Sequence, residues 1–230
     1  LFFMNDNHSN TKVLLFLPAK NEAQTISSVI DNATAVLKKL DIHFDTLVID
    51  DGSDDNTGTL AASAGAIVLR NNQNKGLGIT FRKAVSFAIE HKYDYMITMD
   101  ADSQFDPQDI PRLLLPTLAD KDIAMVTGSR FLPESKVTNM PVIKPRGNRM
   151  MSGLINSILK SNYSDVSCGF RVYSREALLH LNLFGEFTYT QEVFLNLGYK
   201  HKSILEVPTS VYYFSERKSR IAHNPFLYAK

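Results

Sequence analysis

The apolar positions of the first hundred residues alternate between two rhythms. Val13-Leu-Leu-Phe-Leu17 is a continuous apolar run stopped by Pro18, the pattern of a buried strand. Ile26, Val29, Ile30, Ala33, Leu37 and Leu40 recur at helical spacing, which predicts an amphipathic helix from about Glu22 to Leu40. Thr46-Leu-Val-Ile49 reads as a second strand, Asn56 to Ala64 as a helix and Ala66-Ile-Val-Leu69 as a third strand. Gly78 to His91 then reads as a helix and Tyr95 to Met99 as a fourth strand. The alternation predicts an α/β fold, a mostly parallel sheet with helices on both faces. Sheets of that kind take their ligands at the carboxyl ends of the strands.

Beyond Ile123-Ala-Met-Val126 the rhythm changes. Leu132 to Arg149 is rich in proline and Lys/Arg and reads as a long mobile loop, a length more often functional or disordered than merely connecting. Met150, Met151, Leu154, Ile155, Ile158 and Leu159 mark one apolar helix face. Gly169 to Tyr173 reads as a strand, Arg175 to Leu181 as a short helix, and Ile204 to Phe214 as two short β runs around Pro208. No repeat, low-complexity tract or linker divides the chain. Residues 12–220 are therefore expected to form a single domain, with 1–11 and 221–230 as flanking segments.

Composition narrows the class. With 230 residues, 44% of them hydrophobic, the chain can bury a substantial core. No apolar run approaches the ~18 residues of a membrane span, and no secretory leader is read before the first strand. The lone cysteine, Cys168, cannot close an internal disulfide, which points to a reducing, cytoplasmic setting. The net charge of +1 conceals a division: residues 1–127 carry net −6 and residues 128–230 net +7. That asymmetry suggests a cation as partner of the first half and an anion as partner of the second, with chance placement of surface charge as the plain alternative. The six histidines are scattered without ligand spacing, and nothing points to nucleic acid as a partner.

Polar loops follow the predicted strands. Pro18-Ala19-Lys20-Asn21-Glu22 ends the first, with Asn21 suited to cap the next helix and Glu22 to its positive end. Asp50-Asp51-Gly52-Ser53 ends the second; its adjacent carboxylates could accept hydrogen bonds from a base or ribose, or could serve only as a capped turn. Asn74-Lys75-Gly76-Leu77-Gly78 opens a helix and fits neither a Walker A loop nor a dinucleotide fingerprint, yet an anion could sit there. Asp100-Ala101-Asp102, followed by Ser103-Gln104, ends the fourth strand with two hard oxygen ligands. Such a pair suits a divalent cation that also holds phosphates.

Taken in order, Pro-Ala-x-Asn-Glu, Asp-Asp-Gly-Ser, Lys-Gly-Leu-Gly and Asp-Ala-Asp-x-Gln resemble the family 2 glycosyltransferases of GT-A fold, most of all the dolichyl/polyprenyl-phosphate mannose synthase branch. Gly128-Ser129-Arg130, Arg149-x-x-Ser152-x-x-x-Asn156, Asp165-x-x-Cys-Gly-Phe-Arg171 and Glu192 carry the resemblance onward to about Arg220. It implies a metal-dependent, inverting hexosyltransferase acting on a nucleotide-diphosphate sugar. Pro18, Ala19, Asn21, Glu22, Asp50, Asp51, Ser53, Lys75, Gly76, Asp100 and Ala101 would frame the donor. Asp100, Asp102 and Gln104 would hold Mg²⁺ or Mn²⁺, and Asp102, Gln104 and Arg130 would serve catalysis. Arg130, Arg149, Ser152, Arg171, Glu192, Arg217, Lys218, Ser219 and Arg220 would face the acceptor.

A polyprenyl phosphate acceptor needs cations rather than a base, which suits the basic second half; a hydroxyl acceptor would need a base, for which Glu192 is the candidate. The nearest branch implies GDP-mannose, while users of UDP-glucose or UDP-N-acetylglucosamine share the same loops. A nucleotide-sugar binding protein that has lost catalysis is the non-enzymatic alternative. The branch commonly ends in Arg-x-x-Gly-x-Ser-Arg/Lys; here Phe214-Ser-Glu-Arg217-Lys-Ser-Arg220 moves the first cation three residues along. Relatives often continue into transmembrane helices, so the chain is expected at the cytoplasmic face of a membrane, through a further segment or by peripheral docking. The Met150–Leu159 helix, flanked by Arg146, Arg149 and Lys160, would either lie in the lipid interface or pack on the core.

Overall fold

The computed structural model describes residues 10–185 and 189–214. Strands β1 (Lys12–Ala19), β2 (His43–Asp50), β3 (Ile67–Arg70) and β4 (Tyr95–Thr98) alternate with helices α1 (Ile26–Leu37), α2 (Thr57–Ser63) and α3 (Leu77–Glu90). A 3₁₀ turn (Pro107–Asp109) leads through α4 (Ile110–Ala119) to β5 (Ile123–Ser129) and β6 (Lys136–Thr138). Then come α5 (Ile143–Leu159), β7 (Arg171–Ser174), α6 (Arg175–His180), α7 (Thr190–Tyr199), β8 (Ser203–Pro208) and β9 (Ser210–Tyr212).

Seven strands form one sheet in the order β3-β2-β1-β4-β7-β5-β8, parallel except for β7, which runs antiparallel to both β4 and β5. β6 and β9 pair separately in parallel, and Phe105 bridges to Val211 at their side. β1 shows why the parallel strands read as continuous apolar runs. Val13, Leu15 and Leu17 enter the core layer beneath α1 and α4, while Leu14 and Phe16 enter the layer beneath α3, α6 and α7. Both faces are covered, so strict alternation of side-chain direction leaves no polar face to show in the sequence. The carboxyl ends of β1, β2, β4 and β5 share one rim, and the start of the reversed β7 reaches the same rim.

Two expectations are corrected. Leu132–Arg149 is not a loop throughout: it holds β6 and the first two turns of α5. Pro145 concealed that start, although it falls in the first turn of α5, where its missing N–H has no helical partner to lose. α1 begins at Ile26 rather than near Glu22, after a turn in which the Glu22 carbonyl accepts the N–H groups of Thr25 and Ile26.

Candidate active site

Hydrogen bonds between loops build the rim. The Asn21 N–H donates to Ser53 Oγ at 2.9 Å, the Asp54 N–H to Asn21 Oδ1 at 2.8 Å and the Glu22 N–H to Thr57 Oγ1 at 2.8 Å. Asn21 adopts a left-handed φ of 51°, which asparagine tolerates; it latches the loops after β1 and β2 and does not cap α1. Thr25 Oγ1 donates to the Ala101 carbonyl at 2.8 Å, joining the first loop to the acid pair. Pro18 and Ala19 close β1, where the Ala19 carbonyl accepts the Asp51 N–H.

The two acids that end β2 shape the wall. Asp50 is fully buried; it accepts the Ser53 N–H at 2.8 Å and faces Arg70 Nε at 3.5 Å. Asp51 accepts from Asn71 Nδ2 at 2.7 Å and from the Lys75 and Gly76 N–H groups at 2.8 and 2.9 Å. Asp51 thus clamps the glycine-rich turn onto β2. Gly52 permits this approach: its φ is +71°, and a Cβ there would lie 2.6 Å from the Gln73 backbone.

Asp100 and Asp102 follow β4 directly. Asp102 Oδ1 accepts the Gln104 N–H at 3.0 Å, across Ser103 at a φ of 61°. The Asp100 carboxyl is pushed up to about 7, first by burial and then by the charge of Asp102, while Lys144 and Arg130 pull it down. A Cβ on Gly169, just before β7, would stand in ordinary contact 3.5 Å from Asp100 Oδ1, which places the approach to β7 beside the carboxylate. Two hard-oxygen ligands held together against their own repulsion fit a divalent cation. Gln104 lines a hollow of about 360 Å³ between α1 and the small sheet, in company with Asn32, Lys136 and Ser210.

Directly after β5, Arg130 Nε and Nη2 donate to the two oxygens of Asp165 at 2.7 and 2.8 Å, and Nη1 donates to Tyr213 Oη at 2.9 Å. The pair is nearly sealed, with side chains 9% and 0% exposed. Asp165 is held in turn by Glu206, which accepts the N–H groups of Ser164 and Asp165, each at 2.8 Å. Lys144, in the first turn of α5, is the cation that sequence reasoning missed. Its Nζ lies 4.1 Å from the centre of the Tyr213 ring, close enough to Asp100, Asp102 and Arg130 for their charges to act on it. Burial, followed by the charge of Arg130, lowers its pKa.

The remaining expected residues divide. Arg149 is exposed on α5 beside Ser152, at a hollow of about 340 Å³ that Phe131, Asn156 and Tyr163 also line. Arg171 is not on the acceptor face. It is fully buried, donates to the carbonyls of Thr190 and Val166 at 2.8 and 3.1 Å and lies over the Phe194 ring. Glu192, considered as a base, accepts the Phe184 and Gly185 N–H groups at 2.6 and 3.1 Å, which ties it to the loop after α6. Arg217, Lys218, Ser219 and Arg220 lie outside the described residues.

Cys168 is fully buried, and its thiol is pushed up to about 12, first by burial and then by the charge of Asp165. A thiol in that state is neither nucleophilic nor reachable. Iodoacetamide at pH 8 should leave the folded protein unmodified by mass spectrometry and label it once in denaturant; rapid labelling of the native chain would contradict this burial.

A mostly parallel sheet with an acid pair beyond its fourth strand and a reversed strand entering beside that pair is the framework of a GT-A glycosyltransferase. The model of glycosyl transferase family 2 matches residues 15–181, and the chain belongs to that family of enzymes. An undecaprenyl-phosphate mannosyltransferase of Micrococcus luteus is 29% identical, over 75% of this chain and 70% of its own. A UDP-N-acetylglucosamine–dolichyl-phosphate N-acetylglucosaminyltransferase of Methanococcus voltae is 30% identical, over 72% of this chain and 70% of its own. Among solved structures, glucosyl-3-phosphoglycerate synthase from Mycobacterium tuberculosis, in complex with Mn²⁺, uridine diphosphate and phosphoglyceric acid, has a TM-score of 0.72. It covers 92% of this chain and 73% of its own at 21% identity, a likeness of fold.

Proposed function

We propose that the protein transfers a hexose, with inversion, from a nucleotide-diphosphate sugar to a polyprenyl phosphate, using Mg²⁺ or Mn²⁺ held by Asp100 and Asp102. One observation carries the reading: Lys144 lies over the Tyr213 ring whose hydroxyl accepts from Arg130, and both cations stand close enough to the acid pair for their charges to act on it. That juxtaposition suits a metal-bound diphosphate on one side and an anionic acceptor on the other. The metal, when bound, would neutralise charge on the departing diphosphate.

The chain's own groups do the rest. Asp51, which keeps a small exposed edge, and the turn it clamps would meet the base and ribose, beside Pro18, Ala19 and Glu22. Lys144 and Arg149 would grip the acceptor phosphate, while Arg130, already committed to Asp165, offers its remaining N–H groups from a fixed position. A phosphate monoester, with a second pKa of about 6, is largely ionised at neutral pH and needs no base. The engagement of Glu192 by two backbone N–H groups favours this acceptor over a hydroxyl. Relatives that act on undecaprenyl and dolichyl phosphate agree with the choice. GDP-mannose is the favoured donor, with UDP-hexoses as the competing class.

With polyprenyl phosphate as acceptor, Lys144→Ala and Arg149→Ala should each lower transfer about 10- to 100-fold, the worth of one charge-assisted hydrogen bond. Donor affinity should hardly change, and Glu192→Gln should retain the chemistry. A dead Glu192→Gln beside two active cation variants would overturn the phosphate acceptor. Calorimetry with GDP and UDP, with and without EDTA, tests donor and metal together: equal affinity in both conditions would remove the metal from the proposal.

A further inference from the structure

Tyr213 supports two cations with one side chain. Its hydroxyl accepts from Arg130 Nη1 at 2.9 Å, and its ring centre lies 4.1 Å from Lys144 Nζ. The residue is 6% exposed, whereas Tyr212 and Phe214 on either side of it are 47% and 42% exposed. Its N–H donates to the Thr138 carbonyl at 3.0 Å, which continues the pairing of β6 with β9 and fixes the backbone beneath the ring. Burial raises the pKa of the phenol, so the ring is uncharged at neutral pH. The two cations it supports act on each other as like charges. Asp165 and Tyr213 take three of the five N–H groups of the Arg130 guanidinium. Lys144 is a half-buried ammonium on a flexible four-carbon stem, free to swing from a neighbouring cation unless something holds it. A carboxylate would hold it and cancel its charge. The face of a neutral ring attracts an ammonium through its quadrupole and leaves the charge unspent.

We propose that Tyr213 is a positioning residue that joins Lys144 and Arg130 into one receptor for the terminal phosphate of the acceptor. The inference rests on the phosphate-acceptor reading above and deepens it. The ring settles where Lys144 stands, and the hydroxyl adds a third anchor to a guanidinium that Asp165 already holds by two. Tyr213 acts through these two side chains and not on the reacting atoms. A phosphate monoester brings three acceptor oxygens and a charge of about −1.5 to −2 at neutral pH. It can therefore meet the ammonium and the remaining guanidinium N–H groups together, and its charge offsets the repulsion between them. A neutral hydroxyl acceptor would leave that repulsion in place. Tyr213 thereby favours one class of acceptor as well as strengthening its binding.

The test uses the full chain and two readouts. In the first, lysines are converted to ¹³C-dimethyl-lysine, which keeps the charge, and the Lys144 signal is assigned by its loss in Lys144→Arg. Its methyl protons should be shifted upfield by the ring in the native chain and in Tyr213→Phe. In Tyr213→Leu they should return to the position of an exposed lysine. An unshifted native signal would overturn the proposal whatever the acceptor. The second readout is transfer to a short, water-soluble prenyl phosphate from the nucleotide sugar that the native chain turns over. Tyr213→Leu should lower kcat/KM for the prenyl phosphate about 10- to 30-fold, while KM for the nucleotide sugar stays within about twofold. Tyr213→Phe, which keeps the ring, should lose only about threefold, because Asp165 still holds Arg130. Lys144→Ala should cost about 10- to 100-fold in the native chain but less than about threefold when added to Tyr213→Leu. Tyr213→Met repeats the cycle if Tyr213→Leu does not fold. Additive losses, or equal losses for donor and acceptor, would mean that Tyr213 only supports the fold and would overturn the proposal while the phosphate acceptor stood. A native chain with the shifted signal that glycosylates no prenyl phosphate would instead remove the acceptor reading, and this role of Tyr213 with it.

Discussion

Asp102→Asn should reduce sugar transfer about 1000-fold or more while the protein folds as before. Loss of a metal contact worth several kcal/mol corresponds to that factor, at about 1.4 kcal/mol per tenfold. The fold should tolerate the change because asparagine keeps an Oδ1 in the position that accepts the Gln104 N–H. It also removes one of two facing negative charges, so the burden on Asp100 is relieved. The sign follows: the Asp100 carboxyl is raised above its unfolded value, so in the metal-free protein its ionisation opposes folding as the pH rises from about 4 to about 7. Without the neighbouring charge that opposition shrinks, and the variant should melt at the same temperature or slightly higher near neutral pH. Turnover near the native rate with either Mg²⁺ or Mn²⁺ would remove Asp102 from the metal site.

The second large effect is on stability. Asp165→Ala should cost about 3–5 kcal/mol, because it strands the Arg130 guanidinium in a nearly sealed setting with its two bonds to the carboxylate gone. For a chain of this size that corresponds to a fall of roughly 6–20 °C in melting temperature. Pairing the change with Arg130→Met should recover much of the loss, since replacing both members of a buried pair with apolar groups is often close to neutral. Denaturant unfolding of both variants provides the measurement, and a loss below about 1 kcal/mol in the single variant would mean that water reaches the pair. The same logic explains why Arg130→Ala alone is a poor test of acceptor binding: it leaves the buried Asp165 carboxylate with backbone N–H groups of residues 130 and 167 but no counter-charge, so lost activity would mix binding with folding.

The sequence exposed the donor half of this site better than the acceptor half, for physical reasons. Val13–Leu17 and Tyr95–Met99 are buried on both faces, so each strand appears as an uninterrupted apolar run with its functional loop immediately after it. Asp50, Asp51, Asp100 and Asp102 could be located on that basis. The start of α5 could not, because its first turns carry Pro145 and Gly147 and its core-facing positions include Asn148 and Ser152. The apolar periodicity of the helix sets in only at Met150, so Lys144 was hidden inside what read as a loop. Arg171 shows the converse error. A basic residue in a basic half read as facing an anionic acceptor, yet carbonyls at Thr190 and Val166 and the face of Phe194 take it into the core. Burial of a charge depends on partners distant in the chain, which linear spacing does not reveal.

The reversed strand β7 also sets a timetable for synthesis. β4 pairs on one side with β1 and on the other with β7, where Thr98 meets Arg171. As the chain leaves the ribosome, β1 to β4 can assemble first, and β4 then waits as an unprotected edge made of Tyr95, Met96, Ile97 and Thr98. About 70 residues must follow before its partner emerges, which at 5–20 residues per second takes roughly 4–14 s. During that interval an apolar edge is open to any other strand, the setting in which nascent chains pair wrongly. Any break in translation between β4 and β7 should therefore yield insoluble fragments, and the need to shelter that edge falls on chaperones rather than on the finished fold.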